Sequence, residues 1–237
     1  MIIAGNCSYI DDSDTNLIFD TAKELLSFTD YFRCKIFLGG TSPSKFKYGI
    51  ESAGIKTLKE INKSIPVMTE IQTESHIDMC KDNISSIWVG ARNSQNYGLM
   101  PMLAEWKGKV FLKRSPGMTI DEVIGLYDIM DVEYQKEVYI IERGINTFDR
   151  LDDSRWSPDL KGVIRLKQER PEIFYNTVID CSHSVGRKEL IEDTYKAFKA
   201  IGCEHFMFEC TATGESKTDF NHMLSVRELK DIILNDN

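Results

Sequence analysis

The chain has 237 residues, 42% hydrophobic and 10% aromatic, with a formal charge of −8 at pH 7. That is enough apolar material for one large core. The acidic balance, without any basic run, speaks against a nucleic-acid partner. No apolar run approaches the roughly 18 residues of a membrane-spanning helix, and no basic region precedes an apolar stretch at the N-terminus, so neither membrane insertion nor secretion is expected. The six cysteines, Cys7, Cys34, Cys80, Cys181, Cys203 and Cys210, form no CxxC pair and are irregularly spaced. Several lie inside apolar runs. They read as free thiols in a reducing, cytoplasmic setting.

In chain order, short apolar runs at 2–5, 35–38, 66–71, 86–90, 109–113, 137–142, 174–180 and 205–209 predict eight strands. Amphipathic stretches near 14–28, 49–63, 74–81, 97–106, 119–130, 158–169, 187–201 and 225–234 predict the helices. Repeated strand–helix units predict a parallel sheet in an α/β protein. Eight of them in about 210 residues predict a single closed (β/α)8 TIM barrel. It is read as one catalytic domain over 1–237, without an added regulatory domain, because the first strand begins at residue 2. The alternative, an open doubly wound sheet, is disfavoured because neither GxGxxG nor GxxxxGK[ST] occurs. Segment 146–158 is long, charged and Pro-terminated, and its position after the sixth strand predicts a loop on the active rim.

Two sets of residues sit at or just past these strand ends, where the loops of a parallel barrel converge. Cys7, His183, Glu209 and Asp219 offer a thiolate, an imidazole and two carboxylates, a mixed donor set suited to a divalent Mn, Fe, Co or Zn ion. Taken singly, Cys7 reads as a buried thiol, His183 as a loop histidine and Asp219 as a helix N-cap. Glu209 is the odd member, since a carboxylate closing the run HFMF is costly to bury without a partner. Arg92, Lys113, Arg114 and Arg143 follow the fourth, fifth and sixth strands and predict one anion site, arginine as a planar fork and lysine as a point charge. Any one of them alone reads as surface charge.

Seven segments, in order over residues 2–225, carry a resemblance. IIAGNCS resembles IAGPCS, PVMTEI resembles PV-TEV, and VGARNSQNYGLM resembles IGARNMQNFELL. VFLKRSPGMTIDEV resembles VLLKRGMSATIEEW, and YIIERGINTF resembles LCERGIRTF. VIDCSHSVGRKEL resembles IVDPSHATGRRDL, and FMFEC with TDFNHMLS resembles VEVHP with SDGAQSLT. The patterns are those of class I 3-deoxy-7-phosphoheptulonate (DAHP) synthases and the related 3-deoxy-octulosonate 8-phosphate synthases. The metal-free forms of the latter have Asn where this chain has Cys7, so Cys7 implies a metal-dependent type.

The resemblance implies a condensation of phosphoenolpyruvate with a sugar-phosphate aldehyde, giving a 3-deoxy-2-keto sugar acid and phosphate. It implies small-molecule substrates and a homo-oligomer. Carried over by position, Cys7, His183, Glu209 and Asp219 match metal ligands. Arg92 and Arg143 match phosphate contacts, Lys113 a carboxylate-side contact, and Glu70 an acidic residue near the reacting water. Lys113, Glu70, His183 and Cys7 are thereby the expected catalytic group.

The chain departs from the pattern on one side. The family's GGAFKPRTSP is replaced by FLGGTSPSKF at 37–46, without the KPR element. Lys45 and Lys47 are candidate replacements for its lysine, and Arg150 and Arg155 in the rim loop for acceptor contacts. Asn146, Cys181, Asn6 and Thr211-Ala212 are further departures. The expectation is an enzyme that keeps phosphoenolpyruvate and takes a changed acceptor. The alternatives are a lapsed barrel that binds or regulates, and a metal-assisted lyase or hydrolase of a phosphorylated small molecule.

Overall fold

The structure, a computed structural model, describes residues 1–37, 51–148 and 156–234. Eight parallel strands pair in sequence order: β1 (Ile2–Gly5), β2 (Tyr31–Arg33), β3 (Val67–Ile71), β4 (Ser86–Val89), β5 (Val110–Lys113), β6 (Val138–Glu142), β7 (Thr177–Asp180) and β8 (His205–Thr211). β1 also pairs with β8, Gly5 opposite Glu209, and this closes the expected (β/α)8 barrel. A two-residue strand, β9 (Leu224–Ser225), pairs in parallel with the end of β8. Around the barrel run α1 (Thr15–Leu25), α2 (Glu51–Ile61), α3 (Glu74–Cys80), α4 (Met100–Ala104), α5 (Ile120–Asp128), α6 (Leu160–Glu169), α7 (Pro171–Tyr175), α8 (Cys181–Val185), α9 (Ile191–Ala200) and α10 (Val226–Leu234).

Strand residues alternate between two cores, as the two-residue period of a pleated strand requires. Val67, Ile87, Val89, Val110, Leu112, Ile140, Ile179 and Phe208 belong to the large core shared with the helices. Ile3, Met68, Trp88, Phe111, Tyr139, Ile141, Val178 and Met207 fill the barrel. One pleat further along the barrel-side parity the residue type changes: Arg33, Glu70, Lys113, Arg143, Asp180 and Glu209 follow. The strand chemistry thus turns from apolar to charged at one level, directly above the barrel-filling Trp88.

Two predicted strands move. The second lies at Tyr31–Arg33 rather than at 35–38, because an arginine at a barrel-side position broke the apolar pattern that marks a strand. Ile36 and Phe37 are buried, but on the rim after the strand, where the Lys35 backbone forms an isolated bridge with Ser8. The seventh begins at Thr177 rather than 174. Pro171, with its φ already suited to a first helical turn, opens α7 and takes Phe174 into it. All six cysteines are buried and free. Among the described residues no helix is long and apolar enough to cross a membrane.

Candidate metal centre and anion cradle

Cys7 follows β1, Glu209 ends the apolar part of β8, and Asp219 stands in the segment beyond it. His183 is on a short helix rather than in a loop. Asp180 caps that helix by accepting the His183 backbone N–H at 3.1 Å, and Gly186, at φ 68°, ends it. Asp219 directly precedes the single turn Phe220–His222; its φ is 52°, and its carboxylate accepts from the Cys7 thiol at 3.1 Å. The four predicted ligands converge, one ligand atom from each lying within 4.8 Å of all the others. Bonds to a divalent ion of about 2.0–2.3 Å place opposite donors roughly 4–4.6 Å apart, so this spread fits one ion.

The protonation pattern fits it too. Burial pushes the Cys7 thiol well above its usual range, with Glu209 and Asp219 adding to the effect, so the metal-free thiol keeps its proton. Burial likewise lowers His183 to about 4, against the pull of Asp180 and Glu209 and with the help of Lys113, so the imidazole is neutral at pH 7. Asp180 would be raised by burial, but His183, Lys113 and Arg33 together hold it well below the usual carboxylate range. His183 Nδ1 lies 2.8 and 3.0 Å from the two oxygens of that ionised carboxylate and therefore carries the ring proton. The lone pair is left on Nε2, which faces Glu209 Oε1 at 3.2 Å. Glu209 is also ionised: burial opposes this, and His183, Arg33 and His222 outweigh it. Two acceptors facing each other in a dry site are the arrangement a cation satisfies.

Beside this cradle lies the positive side of the site. Trp88 forms its floor, with Arg33 and Lys113 over the indole at 5.1 and 5.7 Å from its centre. Lys113 donates to Asp180 at 3.0 Å, and Arg33 forms a short ion pair with Glu209. Burial lowers the Lys113 ammonium; Asp180 opposes this, and Arg33 and Arg143 lower it further. Arg143 is buried and stacks on Trp156 at 5.3 Å. Three cations so close favour an anionic ligand. Two buried polar atoms, Arg33 Nε and Asn6 Oδ1, have no hydrogen-bond partner among the described residues. Glu70 accepts from Lys35 at 3.0 Å and from the Trp88 indole at 3.1 Å. Although burial raises it, Lys35 and Lys113 hold it below its usual range. Gly90 leaves it room, since a Cβ there would stand 2.7 Å from Glu70 Oε1.

The anion set is not uniform. Arg92 is exposed and free of ion pairs among the described residues. Arg114 is committed to the scaffold: it pairs with Glu142 at 2.7 Å and Asp159 at 2.6 Å, and donates to the Met118 carbonyl through two nitrogens. Lys45, Lys47, Arg150 and Arg155 lie outside the described residues. Sequence reasoning missed Arg33, Lys35, Asp180 and His222. The signal for Arg33 and Asp180 was the strand parity that carries Tyr31 to Arg33 and Val178 to Asp180.

Fold and site define a parallel (β/α)8 barrel with a mixed S, N and O cation cradle beside a cationic pocket, at the C-terminal ends of the strands. The family profile described as DAHP synthetase I family matches residues 1–233, and the chain belongs to that family. It is 27% identical over 215 residues to a phospho-2-dehydro-3-deoxyheptonate aldolase of Thermotoga maritima, covering 88% of this chain and 60% of that protein. It thus spans less than two thirds of that relative's length. It is 23% identical to a 2-dehydro-3-deoxyphosphooctonate aldolase of Campylobacter jejuni subsp. doylei, covering 98% of this chain and 95% of the relative. The crystal structure of the Thermotoga maritima DAHP synthase superposes with a TM-score of 0.88 at 25% identity, over 99% of this chain and 67% of that one.

Proposed function

We propose that this chain is a divalent-metal-dependent enzyme that condenses phosphoenolpyruvate with an aldehyde and releases phosphate, giving a 3-deoxy-2-keto acid. The carrying observation is the juxtaposition of the two half-sites, with the facing lone pairs of His183 and Glu209 only one ion pair away from Arg33. Cys7, His183, Glu209 and Asp219 would hold the ion, which supplies Lewis-acid polarisation of the aldehyde oxygen.

The chain's own groups do the rest. Arg92 and Arg143 take the phosphate of phosphoenolpyruvate, and Lys113 and Arg33 take its carboxylate side, fixing the enol carbon toward the aldehyde. The methylene carbon of the enol bonds the aldehyde carbon, whose oxygen takes up a proton as the new hydroxyl. A water adds at the phosphate-bearing carbon, and the bond from that carbon to the phosphate oxygen then breaks, leaving the keto group and free phosphate. Glu70, ionised and oriented by Lys35 and Trp88, stands as the acceptor of a proton from that water. The Trp88 floor excludes bulk water from beneath, which strengthens the charge contacts. Arg114 enters this scheme as a support for the strand end that carries Lys113, not as a substrate contact.

The sequence departs from the family at 37–46, the segment that the resemblance assigns to the acceptor, and a changed aldehyde is expected. The test is phosphoenolpyruvate consumption and phosphate release with added Mn²⁺, against erythrose 4-phosphate, arabinose 5-phosphate and a panel of other aldehydes. Turnover with any of them supports the reading, and the preferred one names the acceptor. Phosphate release without a condensed product marks a hydrolase, and binding without turnover marks a lapsed barrel; either overturns it.

A further inference from the structure

Just after Asp219 the chain makes a single 3₁₀ turn, Phe220–His222. The His222 backbone N–H returns to the Asp219 carbonyl at 3.4 Å. Asp219 holds φ at 52°, a left-handed region that non-glycine residues occupy sparsely. The turn delivers two side chains into the site at once. The Asp219 carboxylate meets Cys7, and the His222 imidazole places Nε2 2.8 Å from Glu209 Oε2. His222 is 2% exposed, and its ring lies 5.3 Å from that of His183. It stands outside the four-residue ligand cluster.

Glu209 is completely buried and has two oxygens to satisfy. Oε1 faces Arg33 and the His183 lone pair, while Oε2 faces His222. A carboxylate that ligates a cation only accepts, so in that role Glu209 takes its hydrogen bond from Nε2 of His222. Both oxygens are then fixed, and the plane of the carboxylate is set before any ion arrives.

We propose that His222 is a positioning residue for the cation site, holding Glu209 in its ligating orientation through the Nε2–H bond and tying that orientation to Asp219 through the shared turn. The inference rests on the metal-centre reading above. Outer groups of this kind change metal affinity by about 10–100-fold when removed.

The experiment is Co²⁺ titration of the metal-free protein, followed by calorimetry and by the thiolate-to-cobalt absorption band, for wild type, His222→Leu and His222→Gln. Leucine keeps apolar volume without a donor, and glutamine carries an amide N–H at a similar reach. The expected result is affinity weakened about 10–100-fold in His222→Leu, with the thiolate band kept at saturation and most of the affinity restored in His222→Gln. Wild-type affinity in the leucine variant, or no recovery with glutamine, overturns the proposal. So does an X-ray absorption spectrum of the wild-type cobalt protein that fits two imidazoles rather than one. If His222→Leu does not fold, His222→Asn replaces it: its amide is too short, so it should bind weakly where His222→Gln binds well, and equal binding overturns the role. Wild-type protein that takes up no Co²⁺ would sink the metal-centre reading itself, which the variants leave intact if only the His222 role is wrong.

Discussion

At the residue scale, each site group has a state fixed by its neighbours, and that makes it testable. Cys7→Ala removes the only sulfur among the ligands; bound metal should drop to background while the circular dichroism spectrum stays unchanged. Retained metal would refute the ligand assignment. Because burial and two carboxylates keep the Cys7 proton on the metal-free thiol, metal binding must displace it. Affinity should then rise with pH, up to about tenfold per unit while the thiol is protonated, with proton release visible as buffer-dependent calorimetric heats. Arg92→Ala should weaken phosphoenolpyruvate binding 10-fold or more, the loss of a charge-assisted contact worth roughly 1.5–3 kcal/mol. Equal affinity would remove Arg92 from the anion site. The four candidate ligands could be read from the sequence because the donor set is chemically coherent and Cys7, His183 and Glu209 close or follow apolar runs. Arg33 and His222 were harder to read. The first interrupts its own strand pattern, and the second owes its place to a turn whose left-handed Asp219 leaves no mark in hydropathy.

At the element scale, strand ends and helix starts hold the site in register. The Lys113–Arg114 segment leads into α5 through a reciprocal cap, in which the Thr119 hydroxyl accepts from Glu122 N–H and the Glu122 carboxylate from Thr119 N–H. Thr119→Ala should lower stability by about 1 kcal/mol in denaturant unfolding and leave phosphoenolpyruvate affinity unchanged. A large affinity loss would mean that the cap also positions Lys113. Elements were most legible where local pattern and fold agree, as in β4 to β6, which carry the continuous apolar runs IWV, VFL and VYII. They were least legible at β2 and α7, where a buried arginine and a helix-opening proline redirect the chain over only a few residues. Most of the expected rim loop of 146–158 lies outside the described residues; beside it Ile145 pairs with Ser157.

At the scale of the whole molecule, closure of β1 onto β8 brings residues 7 and 209 together across nearly the full chain, so the site reports on global folding. His183 stays neutral in the folded protein down to about pH 4, whereas an unfolded histidine takes up a proton near 6.5. Between these values the unfolded state binds more protons, so stability of the metal-free protein falls as pH falls across that window, by on the order of 3 kcal/mol. Asp180 and Glu209, held below their usual range, extend the loss to lower pH. Thermal unfolding from pH 7 to 4 checks this, and a flat profile would contradict the neutral buried imidazole. Added divalent metal should work the other way, contributing about 2.7 kcal/mol at 100 times its Kd, and a chelator should reverse the gain.

The chain has three tryptophans, and two of them lie against cations of the anion cradle: Trp88 beneath Arg33 and Lys113, and Trp156 beside Arg143. A charge moving a few tenths of an ångström over an indole face alters its emission. The protein therefore carries its own optical readout, and substrate capture can be timed by stopped-flow fluorescence on unlabelled material. Trp88→Phe and Trp156→Phe would assign each phase of the signal to one wall of the cradle.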